Sequence, residues 1–163
     1  MAVALRRKQP RKAHHRGGGA PEEHTRNVRG TNIMRILITF EDNYCAYADA
    51  LAKAIRAARP HLDVVATVGL EALQTQTARL DPHLVISSVP NPAVEQEDDE
   101  EEGKLVLAWV ELSLDPNLPS QFCIDSWRWE TLNPSLEELL DVIDETERLV
   151  LSRVVARKRA DGY

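Results

Sequence analysis

Cysteine is scarce: the 163 residues hold two, Cys45 and Cys123, far apart and in no C-x-x-C pattern. Neither a disulfide framework nor a thiolate metal site is indicated, and each is expected as a small buried hydrophobe in a reducing cytoplasm. Glycine is also sparse beyond the N-terminal region, where only Gly69, Gly103 and Gly162 occur. With no G-x-G-x-x-G and no G-x-x-x-x-G-K, the glycine-rich devices that cradle dinucleotides and nucleoside triphosphates are absent. No run approaches the roughly 20 apolar residues that a membrane-spanning helix needs, so no membrane partner is expected. The G-x-S-x-G elbow is missing too, and the body has only two histidines, His61 and His83. Both are expected just before strands, at the opposite edge of the sheet from Ser87 and Ser88, which argues against a serine hydrolase.

Charge is unevenly divided. The chain is formally −6, but residues 1–33 carry eight Arg or Lys against two acids, leaving residues 34–163 with twelve bases and twenty-four acids. The leader has no apolar segment of the kind an export signal needs. Its Gly17-Gly18-Gly19, Pro10 and Pro21 and scattered bases predict disorder rather than an arm gripping nucleic-acid phosphates, and no nucleic-acid partner is expected. Met34 stands directly before the first strand-like run and is a candidate biological start.

From Met34 the periodicity alternates. Arg35 to Phe40, "RILITF", reads as a strand buried on both faces. Tyr44, Ala48, Leu51, Ile55 and Ala58 then make one helical stripe that Pro60 stops. "LDVVATV", Leu62 to Val68, is a second strand, punctuated by Gly69. Leu70, Leu73 and Leu80 mark a second helix closed by Asp81-Pro82, and Leu84 to Ser88 is a third strand. This βαβαβ order implies parallel strands and right-handed crossovers.

Ala93 to Lys104 carries seven acids in twelve residues and reads as an extended, solvated loop, or else a docking patch for a basic partner. A fourth strand, Leu105 to Leu112, is followed too closely by a fifth run, Gln121 to Leu132, for a crossover. An antiparallel edge pairing is expected. Trp127 and Trp129 share one face of that fifth run and Trp109 lies in its expected partner. Core packing is the default for them, and the two tryptophans around Arg128 are the alternative, a protein contact. After Asn133-Pro134, Ser135 and Glu138 have capping-box spacing, and Leu136, Leu139, Leu140, Ile143, Val150 and Val154 form an apolar helical face. Arg157, Lys158 and Arg159 suit the helix C-terminus, with residues 157–163 as a basic tail.

Across roughly residues 34–150 the chain resembles the receiver domains of bacterial response regulators. "MRILITFEDN" is similar to their first strand and acidic corner, "DPHLVISSVP" to their third strand, and "LNPSLEELLDVI" to their Lys-Pro turn and last helix. The resemblance implies a flavodoxin-like three-layer α/β sandwich over residues 34–156, with a parallel sheet of about five strands, an antiparallel edge hairpin and a reduced helix count.

It also implies where a phosphorylation site would be. Family members carry a phosphoacceptor aspartate at the end of the third strand, two acids that hold Mg²⁺, a Thr or Ser after the fourth strand and a Lys before the proline after the fifth. Here the acceptor position falls on Ser88, the acidic corner on Phe40 and Glu41 with Asp42 beside them, the hydroxyl position on Ser113 and the lysine position on Asn133. Acceptor, one acid and lysine all depart together. The expectation is a stand-alone, cytoplasmic signalling module with a protein partner, neither phosphorylated nor an enzyme, and with no cofactor. Its candidate surfaces are the strand-end crevice (Glu41, Asp42, Ser87, Ser88, Ser113, Asn133) and the hairpin (Trp127, Arg128, Trp129). Glu41 and Asp42 are weak candidates for a metal. The alternative is a small-ligand or Mg²⁺-dependent protein or enzyme using the same crevice.

Overall fold

The computed structural model describes residues 34–90 and 106–160. The basic leader, the whole of the acidic segment Ala93 to Lys104 and residues 161–163 lie outside them. β1 (Arg35–Phe40) leads through a 3-10 turn (Asp42–Tyr44) into α1 (Cys45–Ala58). β2 (Asp63–Val68), α2 (Leu70–Leu80), β3 (Leu84–Ser87) and β4 (Ala108–Glu111) follow. β5 (Pro119–Ile124), β6 (Trp127–Leu132) and α3 (Leu136–Ala160) complete the order.

The fold is α/β. One six-stranded mixed sheet has the order β2-β1-β3-β4-β5-β6. The first four strands are parallel, β5 is antiparallel to β4, and β6 is antiparallel to β5. The antiparallel pairing after β4 is therefore present, but the fifth run is two strands, not one. Asp125 takes a positive φ of 53° and, with Ser126, makes the two-residue turn between Ile124 and Trp127. Aspartate tolerates that conformation better than most residues. In consequence β5, not the strand bearing Trp127 and Trp129, is the partner of Trp109, which pairs with Cys123.

Alternation along the strands divides the core in two. Ile36, Ile38, Phe40, Leu84, Ile86, Val110 and Phe122 face α1 and α3, meeting Leu51, Ile55, Leu139 and Ile143. Leu37, Val85 and Trp109 face the other way and meet Leu73 of α2. β1 and β3 are buried on both faces, which is why their sequences read as unbroken apolar runs. Leu70 and Leu136, counted among the helical stripes, are exposed because each lies at the first residue of its helix, beyond the sheet.

The cysteines depart from expectation: Cys45 is exposed and Cys123 half-buried, both free. The first turn of α1 stands above the strand ends, and its neighbours Tyr44 and Tyr47 are exposed with it. Ion pairs hold the N-terminal end of the sheet. Arg59 donates from Nε to Asp144 Oδ1 at 2.8 Å and from Nη2 to Asp144 Oδ2 at 2.6 Å, tying the end of α1 to α3 and holding the Asp144 carboxyl below its usual range. His61 reaches Glu147 at 3.0 Å.

The capping box forms as expected. Ser135 N–H donates to Glu138 Oε2 at 2.7 Å, and Glu138 N–H to Ser135 Oγ at 3.2 Å. α3 then runs to Ala160 and includes Arg157, Lys158 and Arg159 in its last turn. Ile143→Ala, at a fully buried position, is expected to cost about 2–5 kcal/mol by urea denaturation. Ser135→Ala is expected to cost about 1 kcal/mol.

Candidate functional site

Parallel strands point their C-terminal ends to one side, and the crevice there is the usual binding position in open α/β sheets. In this chain β1, β3 and β4 bring Glu41, Ser88, Glu111, Ser113 and Asp115 to an open crevice of about 460 Å³, walled by Tyr44, Leu112 and Leu118.

The hydroxyls there are engaged in closing the backbone. Ser88 Oγ accepts the Glu41 N–H at 3.3 Å, while the Ser88 N–H donates to Thr39 O. Ser113 Oγ donates to Asp115 O at 3.0 Å and accepts the Asp115 N–H at 3.3 Å. Ser87 is fully buried, and its Oγ accepts the Val89 N–H at 3.0 Å. Hydroxyls used in this way stabilise turns and strand ends. His83, the residue before β3, lies at the other end of that strand from Ser88. Its Nδ1 accepts the Arg35 N–H at 3.0 Å, and burial and then the Arg35 charge push its pKa down.

The other expected crevice residues separate. Asp42 belongs to the 3-10 turn and does not line the crevice; a Cβ at Gly69 would sit 3.5 Å from Asp42 Oδ1. Gly69 itself has φ +88°, a conformation that only glycine adopts without strain. Asn133 follows β6, at the far side of the sheet from β1, and its Nδ2 donates to Pro116 O at 3.2 Å. Among the described residues no group of three or more His, Cys, Asp or Glu is placed to hold a metal.

Glu111 and Asp115 were not among the sequence candidates. Glu111 ends the fourth apolar run, where an acid after "LVLAWV" marks a strand end, and Asp115-Pro116 marks the turn beyond. Among the described residues the charged groups of the lining are Glu41, Glu111 and Asp115.

Trp127, Arg128 and Trp129 lie on β6 at the sheet edge. Trp127 is 77% exposed, whereas Trp129 stacks on Phe122 with ring centroids 5.1 Å apart. Arg128 pairs with Cys123 and therefore projects from the sheet face opposite the tryptophans. No helix among the described residues is long and apolar enough to cross a membrane. No protein-family model, curated protein or solved structure matches the chain.

Burial pushes the Glu111 carboxyl above its ordinary 4.5. Its ionised form is therefore disfavoured in the folded state. The resulting penalty is present above the folded pKa and disappears as pH falls below 4.5. Glu111→Gln is expected to raise Tm at pH 7 and to converge on the unsubstituted protein in acid, as followed by thermal unfolding across pH.

Proposed function

We propose that the chain is a receiver-like regulatory module, with a flavodoxin-like core, that takes up no phosphoryl group and works by binding a protein. The observation that carries this reading is the end of β3. Where the resembled family has a carboxylate, Ser88 offers a hydroxyl already bonded to the Glu41 N–H. A serine hydroxyl cannot form an acyl phosphate, having no carboxylate to be phosphorylated.

Two further features support the reading. Among the described residues the crevice lining holds three carboxylates with no cation to offset a transferred phosphoryl group. Asn133, at the position of the family's lysine, follows a sixth strand and is spent on Pro116. The parallel order β2-β1-β3-β4, with helices against both faces, supports the flavodoxin-like core. The hairpin edge exposes Trp127, Trp129 and Leu132, which suits a protein contact.

Incubation with acetyl phosphate and Mg²⁺ is expected to leave the intact mass unchanged. A stable phosphorylated species would contradict the reading. So would a rise in Tm with Mg²⁺ that Glu41→Gln combined with Asp42→Asn abolishes, because that result describes a metal site at the crevice.

A further inference from the structure

The groove between β6 and α3 combines three properties that together describe an occupant. The first is an open edge. Among the described residues β6 pairs only with β5, so the backbone groups of alternate residues from Trp127 to Leu132 face outward without a strand partner. Natural edge strands are usually blunted by Lys, Pro or a bulge. This one, "WRWETL", has no Pro and pairs residue for residue with β5; its charges, Arg128 and Glu130, stand on the face away from the tryptophans.

The second is an apolar floor. Trp127 pairs with Ile124 and Trp129 with Phe122, so both tryptophans lie on the sheet face covered by α3. Two cavities of about 310 and 380 Å³ open there between β6 and the helix, floored by Phe122, Ile124, Trp129, Val142 and Leu149. A partly wet aromatic at the edge of such a floor is the usual anchor of a peptide contact.

The third is charge of one sign. Glu138, Asp141 and Glu145 recur at spacings of three and four along α3, one helical stripe facing the groove, and no Lys or Arg lines either cavity. Glu145 is shared with Arg148 and Asp125 with Arg153, both of which lie outside the cavities.

We propose that an extended, basic segment of a partner protein adds as a strand to the outer edge of β6. On the strand face toward α3, occupied by every second residue, aliphatic side chains pack on Trp127 and Lys or Arg side chains reach the carboxylates of α3. This rests on the reading of the chain as a protein-binding module and supplies the site and the chemistry of the partner. An open edge selects extended backbone, the floor selects apolar residues, and the stripe selects positive charge. A second copy fits less well, because edge-to-edge pairing would bring two acidic stripes together.

The test uses the full chain and a blocked seven-residue peptide, Val-Thr-Lys-Thr-Val-Thr-Lys, whose Val and Lys share one strand face, with the same peptide carrying Glu for Lys as its control. Binding is followed by calorimetry and by tryptophan fluorescence. The lysine peptide is expected to bind, blue-shifting emission from Trp127, and to weaken as salt rises. The glutamate peptide is expected not to bind. Trp127→Ala, and separately Glu138→Gln with Asp141→Asn and Glu145→Gln, are each expected to weaken the lysine peptide by about tenfold or more. Gln at 138 preserves the capping box.

Equal binding of both peptides, no binding of either, or a salt-independent affinity would overturn the proposal without needing any variant. A dimer by sedimentation that Trp127→Ala dissolves would overturn it as well, by making a second copy the occupant. The acetyl phosphate experiment reads the opposite part of the sheet, so this proposal and the non-phosphorylated reading fail separately.

Discussion

The reversal of the chain between Leu112 and Leu118 is the constraint on which the rest of the structure depends. A parallel crossover needs about a dozen residues or more, and this connection is too short to provide one, so β5 must return antiparallel to β4. Asp125 and Ser126 then reverse the chain again. The sheet consequently ends not in a strand covered on both faces but in β6, whose Trp127 is in water and whose outer edge is open among the described residues. The parallel part of the sheet is conventional in its physics. The antiparallel addition is where the molecule acquires a surface.

The same reversal shapes the strand-end crevice. The turn after β4 carries Ser113 and Asp115, and folds its hydroxyl and carboxylate back onto its own backbone. With Glu41 and Glu111 it leaves a space lined by negative charge, in which each serine already has a hydrogen-bond partner. At the N-terminal end of the sheet Arg59–Asp144 ties α1 to α3, and an open cavity of about 600 Å³ lies beside His83, Leu107 and Val154.

How much of this was legible in the sequence follows from where period and burial agree. β1 and β3, buried on both faces, showed as unbroken apolar runs, and α3 announced itself through Ser135, Glu138 and its leucine stripe. The split of "QFCIDSWRWETL" was not legible as such. Its only turn signal is Asp125-Ser126, with no glycine, and the residues on either side are all strand formers. Once that split is missed, the tryptophans are assigned to the wrong neighbour. Cys45 was misjudged because a free cysteine is usually buried, and only the placement of the α1 first turn above the sheet exposes it. Ser88 and Ser113 were found at the crevice, whereas Asn133 and Asp42 were not brought to it, because the extra strand and the 3-10 turn carry them elsewhere.

The central claim is that β6 is a true strand, hydrogen-bonded on one side and open on the other. Amide hydrogen exchange followed residue by residue by NMR tests it directly. The account predicts slow exchange at every second amide from Trp127 to Leu132 and fast exchange at those between them, against uniformly slow exchange in β1. Uniform protection along β6, or none, would contradict it.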